Sequence, residues 1–211
     1  DGVGTSDEYS KLSAKLGMKF LAQTNHRNIN GSINHQKSCL ANGVTPVFGC
    51  EGYIIPDFEQ REERNGHVVL LVKNKTGWEN LLKMLNVANS PAYFYKRPRF
   101  DYKLLIDNCE GLKISTACIS SFVNQKNGID FLIKLNKRYP GDVYLELMPF
   151  LQKEQIELNK KLLQIHKKTS IPMVITNDCH YPNFKDSILQ DVLLAIRTKV
   201  KWDDPKRWRF D

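Results

Sequence analysis

The sequence predicts an α/β fold with mostly parallel strands. Short apolar segments alternate along the chain with longer segments that repeat apolar residues at helical spacing. Neither a glycine-rich dinucleotide motif nor an internal repeat interrupts this alternation. The 211 residues, of which 41% are hydrophobic, are enough to bury one sizeable core. We therefore expect one domain over residues 1–198, with 199–211 as an exit segment towards a following region.

Six strands are predicted from apolar runs bounded by glycine, proline or polar residues. The clearest is the unbroken apolar run that follows His67. In chain order, the strands are expected at 19–23, 45–48 continuing through 53–55, 67–72, 112–116, 143–147 and 172–176.

Two capping boxes mark predicted helix starts. Thr5 with Glu8 opens the first helix, which Gly17 closes, and Thr76 with Glu79 opens another. Apolar residues at three- and four-residue spacing predict the remaining helices, at 31–41, 129–137, 154–168 and 185–197.

Composition excludes several classes of protein. No apolar run approaches the roughly 20 residues of a membrane span. Five cysteines without a Cys-x-x-Cys pair predict reduced thiols and a cytoplasmic location rather than a zinc ribbon or a secreted disulfide scaffold. The net charge of +8 is compatible with a nucleic-acid or phosphate-bearing partner, and equally with a lysine-rich solvated surface. Because the first residue is Asp1 rather than Met, we expect a truncated or processed N-terminus.

Side chains that bind metal ions lie next to the predicted strand ends. These candidates are His26, Glu51, Cys118, Asp178 and His180, which follow strands, and His67, which begins one. Residues just past the carboxyl ends of parallel strands converge on one mouth of an α/β barrel. Imidazole, carboxylate and thiolate groups together favour zinc or manganese over magnesium. The placement therefore predicts a site for more than one metal ion.

Each candidate also has a purely structural interpretation. His26 and His67 alone could be surface histidines, Cys118 a small buried apolar residue, and Glu51 a cap or ion-pair residue. The remaining histidines, His35 and His166, are expected to lie at the surface. Three cysteines are expected to be structural residues of the interior: Cys39, Cys50 and Cys109.

A basic and aromatic loop at 90–100 is a candidate nucleic-acid contact. Its cations are Lys96, Arg97 and Arg99, and they alternate with aromatic residues that could stack on bases. The alternative is a packing segment at the surface.

Seven ordered motifs resemble the PHP domain (polymerase and histidinol phosphatase) of bacterial replicative DNA polymerase III alpha subunits. They are LAQTNHRNINGSINHQKSCLANGVTPVFGCEGYI, GHVVLLVKNKTGWENLLKM, YFYKRPRFDYKLL, CEGLKISTACIS, DVYLELM, IPMVITNDCHY and LQDVLLAIRTKVKWDDPKRWRF. The resemblance covers essentially the whole chain. It departs from the family at Asn25, where Asp is usual, and at Arg27, where Gly is usual, and the family's His-x-His motif lies upstream of Asp1.

The resemblance implies a distorted seven-stranded β/α barrel with a cleft for up to three divalent ions, zinc or manganese. Carried over by motif, the metal ligands would be Asp1, His26, Glu51, His67, Cys118, Asp178 and His180. Of these, Glu51, Asp178 and His180 would be catalytic, and Glu51 would bridge two ions.

The resemblance also implies a function in DNA replication, as a metal-dependent phosphoesterase or 3′→5′ exonuclease module. Implied partners are DNA, the remaining polymerase domains C-terminal to this chain, and a proofreading or clamp subunit, with no membrane. Two alternatives stay open: a catalytically silent scaffold that braces the polymerase or binds a proofreading subunit, and a stand-alone phosphatase that acts on a small phosphate ester.

Overall fold

The computed structural model describes residues 2–61, 64–205, 207 and 209. Over these residues the chain forms seven α-helices: α1 (Ser6–Lys15), α2 (Ser32–Ala41), α3 (Lys75–Ala88), α4 (Tyr102–Asn108), α5 (Gly128–Arg138), α6 (Lys153–Thr169) and α7 (Ser187–Thr198). The strands of the same residues are β1 (Phe20–Gln23), β2 (Thr45–Ile55), β3 (Gly66–Val72), β4 (Phe100–Asp101), β5 (Leu112–Ser115), β6 (Val143–Leu147) and β7 (Met173–Ile175). The predicted α/β class is confirmed.

The chain divides into two compact units. The first comprises Asp1–Leu21, Ile33–Pro46 and Asp178–Asp211, and the second comprises Ala22–Ser32 and Val47–Asn177. The predicted exit segment begins directly after α7, and its role stays a prediction. None of the helices in the described ranges is long and apolar enough to span a bilayer.

The sheet runs in the order β1-β2-β3-β5-β6-β7, and β4 pairs with β2. The pairs β2–β4, β5–β6 and β6–β7 are parallel, whereas β3 runs antiparallel to both β2 and β5. The expectation of mostly parallel strands is therefore corrected at β3. A parallel connection needs a crossover of a dozen or more residues, usually helical, and the segment between Ile55 and Gly66 is too short for one.

Apolar side chains of β2, β3, β5 and β6 form the core of the second unit, against α3, α4, α5 and α6. Each helix buries one stripe; in α6 the stripe consists of Leu158, Leu162 and Ile165. This packing fixes the strands and hence the positions of the side chains at their ends.

One local prediction is wrong, and one helix was not predicted. Asn74, and not Thr76, caps α3, because its side chain accepts a hydrogen bond from the Gly77 amide. The helix α4 was not predicted, since its apolar residues are consecutive rather than periodic; Asp101 caps it by accepting a bond of 2.7 Å from the Leu104 amide.

In the first unit, the predicted capping box of Thr5 and Glu8 is confirmed at the start of α1. His35, expected at the surface, is instead only 2% exposed. Its Nε2 lies 3.0 Å from the Leu21 carbonyl oxygen and its ring contacts the Cys39 thiol, which explains the burial of a polar ring.

Candidate metal centre

Three of the predicted ligands meet in the second unit. The Glu51 carboxylate lies between two imidazoles: His67 Nδ1 is 2.7 Å from Oε1, and His26 Nδ1 is 3.5 Å from Oε2. One ligand atom from each of these three residues falls within 4.8 Å of the others. Glu51 is 6% exposed, so its charge is largely removed from water. The group can hold a divalent ion.

The antiparallel direction of β3 brings His67 to this group. Tyr53, near the end of β2, pairs with His67 at the start of β3. A strand that runs antiparallel places its beginning beside the end of its neighbour. His67, at the start of β3, therefore lies beside His26, in the loop after β1, and Glu51, which lies within β2 and not after a strand as expected.

Backbone hydrogen bonds fix the loop after β1 against β2. The Glu51 amide donates to the carbonyl oxygens of Thr24 and Asn25 at 3.3 and 3.2 Å, and the Arg27 amide donates to the Glu51 carbonyl at 2.9 Å. These bonds flank His26 on both sides, so the position of its ring is set by β2.

Cys118 lies beside the same group. Its Sγ is 3.4 Å from His67 Nδ1 and 3.8 Å from Glu51 Oε1. By contrast, Cys50 is fully buried, and burial raises the pKa of its thiol to about 12. A thiol must ionise to ligate a metal ion. Cys118 is therefore the better placed sulfur ligand of the two.

Tyr53 packs beneath both imidazoles and was not singled out in the sequence. Its ring stacks on His67 with centroids 4.8 Å apart and lies 5.4 Å from the His26 ring. The guanidinium groups of Arg27 and Arg97 lie over the same ring, at 4.9 and 5.3 Å. A tyrosine within an apolar strand gives no sequence signal of such a role.

Arg27 adopts the left-handed backbone conformation, with φ of 63°. We expect Arg27→Gly to change the free energy of unfolding by less than about 1 kcal/mol, because the relief of strain offsets the lost stacking on Tyr53. A β-branched residue suits this conformation poorly, so Arg27→Val should lower stability by about 1–2 kcal/mol. Thermal unfolding of both variants checks this, and a Val variant as stable as the Gly variant would contradict the left-handed geometry.

Two further predicted ligands lie in the first unit. Asp178 has a φ of 47°, and His180 Nδ1 lies 2.7 Å from the Asp178 carbonyl oxygen and 3.8 Å from its Oδ1. The Val3 amide donates to the His180 carbonyl at 2.7 Å, which holds the N-terminal segment against this turn. Asp1 lies outside the described residues. The ligand roles of Asp178, His180 and Asp1 stay predictions.

The three cations of the basic loop differ in their surroundings. Lys96 and Arg97 are exposed, and Arg97 donates to the Tyr53 hydroxyl at 3.1 Å. Arg99 is only 2% exposed and donates to the Arg61 carbonyl at 2.9 Å. A buried guanidinium cannot reach a DNA phosphate without leaving this position, so Arg99 acts here as a packing residue of the loop.

Glu146 is a buried carboxylate that sequence reasoning missed. It is 5% exposed, and its oxygens accept hydrogen bonds from the Ser115 hydroxyl, the Ala117 amide (3.1 Å) and the Thr176 hydroxyl (2.6 Å). It thereby ties the end of β5 to the segment after β7. The Ala117 contact acts on the backbone next to Cys118, where φ is 58°.

The sequence of the chain matches proteins that are already known. A family model described as the PHP domain matches residues 1–159. The DNA polymerase III subunit alpha of Treponema pallidum is 31% identical over 224 aligned residues, which cover the whole chain and 19% of that protein. The subunit of Thermus aquaticus is 32% identical over 90% of the chain and 17% of its own length. The chain thus spans about a fifth of the length of these relatives.

Two solved structures share the fold. One, assigned as a metal-dependent phosphoesterase of Bifidobacterium adolescentis, has a TM-score of 0.60 at 13% identity and covers 85% of this chain and 84% of its own. The other, an amidohydrolase of Chromobacterium violaceum, has a TM-score of 0.61 at 12% identity, with coverages of 87% and 84%. The predicted barrel-type α/β fold is confirmed.

Proposed function

Because this chain belongs to the PHP domain family, we propose that it is the PHP domain of a bacterial DNA polymerase III alpha subunit and hydrolyses phosphodiester bonds with bound metal ions. The identity with alpha subunits over 90% or more of the chain supports the first half of the proposal. The group of His26, Glu51 and His67 supports the second half and is the observation that carries it.

The donor set fits a divalent transition metal ion. Two imidazoles, one carboxylate and a neighbouring thiol are typical zinc or manganese ligands, whereas magnesium prefers oxygen. Glu51 reaches both imidazoles through different oxygens, so its carboxylate can bridge two ions. The proposal keeps Asp1, Asp178 and His180 as further metal ligands, with up to three ions in all, and Asp178, His180 and Glu51 as catalytic residues.

A bound ion of this kind supplies hydroxide at neutral pH, because it lowers the pKa of its water to about 7. The protein's part is to orient its own ligands. Glu51 holds the His67 ring through Nδ1, which fixes the ring orientation, and Tyr53 stacks on the His67 ring and lies tilted against the His26 ring.

The proposed substrate is the 3′ end of a DNA strand. Arg97 is exposed and is anchored on Tyr53 next to the metal centre, and Lys96 is the exposed residue that precedes it in the chain. Cations so placed would neutralise backbone phosphates and make binding depend on salt. The proposed setting is the cytoplasm, with DNA, the polymerase region C-terminal to this chain, and a proofreading or clamp subunit as partners.

A catalytically silent scaffold is the second candidate, and the loop after β1 favours it. Asn25 provides no charge, and its amide donates to the Asn30 carbonyl at 2.8 Å. Arg27 places a bulky cation two residues later in the same loop. These two departures from the family pattern would weaken catalysis while leaving His26 in place.

Metal content separates the candidates when it is measured together with hydrolysis. We expect protein purified without chelator to carry zinc, manganese or iron by elemental analysis. We also expect it to shorten 3′-labelled single-stranded DNA, with loss of activity in chelator and recovery on adding Mn²⁺. Bound metal without hydrolysis would favour the scaffold, and absence of metal would refute both the site and the catalytic function.

A further inference from the structure

A cavity of about 330 Å³ lies beside the metal centre, and the function proposed above does not use it. Its lining includes Arg64, Asn65, Gly66, Ile119, Ser120 and Lys126. The volume falls at the lower end of the range of small-molecule sites, which suits a single nucleotide.

The walls of the cavity continue directly into two of the proposed metal ligands. Gly66 precedes His67, and Ile119 follows Cys118. The His67 amide donates to the Ser120 carbonyl at 2.7 Å, so the two wall segments are bonded to each other. An occupant of the cavity would therefore lie next to the His67 and Cys118 side of the metal centre.

The charge of the lining selects an anion. Arg64 and Lys126 contribute two cations, and the lining residues that the structure describes include no Asp or Glu. Hydroxyl groups of two serines and the side-chain amides of Asn65 and Gln125 add neutral polar groups. Phosphate oxygens can accept from the arginine, lysine, serine and Asn65 donors, and the contacts to arginine and lysine are the strong ones. The Gln125 amide already donates to two backbone carbonyl oxygens.

The side-chain oxygen of Asn65 calls for a hydrogen-bond donor. Within the described residues, this Oδ1 is buried and has no hydrogen-bond partner. A buried acceptor left in this way costs about 1–3 kcal/mol. Phosphate ions at neutral pH offer few donors, whereas the sugar of a nucleotide carries a hydroxyl group. The lining therefore suits a nucleoside phosphate better than a phosphate ion alone.

One wall of the cavity is held rigidly. The Gln125 amide donates to the carbonyl oxygens of Ile54 and Arg64 at 2.9 and 2.8 Å, and Lys161 donates to the Val123 carbonyl at 2.9 Å. A Cβ added to Gly66 would meet the Phe122 Cα at 2.7 Å, so this close approach requires glycine. The cavity is therefore formed before a ligand binds, which lowers the entropic cost of binding.

We propose that this cavity binds a nucleoside monophosphate unit, free or as the end of a strand, with its phosphate on Arg64 and Lys126 and a sugar hydroxyl on Asn65. The proposal rests on the phosphodiesterase function, since it places the unit next to the bond that is cut. It adds a nucleotide-recognising subsite to that function.

The test compares two double variants of the full chain that remove the same charge. Thymidine 5′-monophosphate, thymidine, inorganic phosphate and a 5′-phosphorylated thymidine tetranucleotide are titrated by calorimetry, in chelator and with Mn²⁺. We expect the double variant Arg64→Gln with Lys126→Gln to bind the monophosphate or the tetranucleotide with roughly tenfold lower affinity. Lys137→Gln with Lys168→Gln, both exposed helix positions, should leave binding unchanged. Asn65→Leu should lower the affinity for the monophosphate but leave the affinity for inorganic phosphate unchanged.

The outcomes keep the two proposals apart. Equal loss in both double variants, equal affinity for thymidine and its monophosphate, or no binding of either phosphorylated probe by the wild-type chain would overturn the cavity proposal. The metal content of the same samples judges the metal centre independently, because neither Arg64 nor Lys126 is a proposed ligand. If only the tetranucleotide binds, the subsite takes the end of a strand. If the monophosphate binds, the subsite takes a free nucleotide.

Discussion

Glu51→Gln is expected to remove bound metal and to lower phosphodiester hydrolysis by about 100-fold or more. The Glu51 carboxylate lies 2.7 Å from His67 Nδ1 and 3.5 Å from His26 Nδ1, so its loss removes a charged ligand beside both imidazoles. Mutation of residues that only orient metal ligands lowers metal affinity or activity by about 10–100-fold, and we expect a larger loss when a direct ligand is changed.

Elemental analysis and hydrolysis of single-stranded DNA measure both effects in the same preparation. Glu110→Gln is the matched control, since it makes the same change at an exposed position. Full metal content with unchanged hydrolysis in the Glu51 variant would show that the site lies elsewhere. Retained metal with lost hydrolysis would assign Glu51 to the reaction rather than to binding.

Glu146→Ala is expected to lower the free energy of unfolding by about 3 kcal/mol, which corresponds to a fall of about 10 °C in the midpoint of thermal unfolding. The change removes the acceptor of the buried Ala117 amide and of the half-buried hydroxyls of Ser115 and Thr176. A fully buried group without a partner costs about 1–3 kcal/mol, and the two hydroxyls cost less because water can reach them. Glu146→Gln should lose much less, because the amide oxygen still accepts and the hydroxyl of Thr176 can accept from the amide group.

The same pair of variants tests whether Glu146 positions Cys118. We expect metal affinity to fall about tenfold in Glu146→Ala and to recover in Glu146→Gln. Glu157→Ala, at an exposed position of α6, is the control for stability and affinity. An Ala variant that unfolds at the control midpoint would mean that the three hydrogen bonds contribute little. Unchanged affinity in an otherwise destabilised variant would limit Glu146 to a structural role.

The sequence predicted the alternation of strands and helices because each element has its own apolar period. It predicted His26, Glu51, His67 and Cys118 as neighbours from strand ends and from family motifs. Periodicity carries no information on strand direction, so the reversal of β3 was missed.

Other features depend on tertiary contacts and leave no local signal. The alternating pattern of its strand predicts that Glu146 faces outward. In the structure its carboxylate is buried against groups that follow or end the neighbouring strands β5 and β7. Arg99 reads as a basic loop residue, yet its guanidinium is buried on a backbone carbonyl. In both cases the partner is distant in sequence.

The β2–β3 hairpin has a consequence for how the protein folds. Glu51 and His67 are only 16 residues apart, so little chain entropy is lost when they meet, and hairpins form in about 1–10 μs. Two of the proposed ligands can therefore meet through local contacts alone, whereas Cys118 joins them through the pairing of β3 with β5. A metal ion can bind this early species as well as the native one, and binding to incompletely folded chains reduces the stability that the ion confers on the native state. The ion would then contribute more to the order in which these segments come together than to the free energy of unfolding of the native protein.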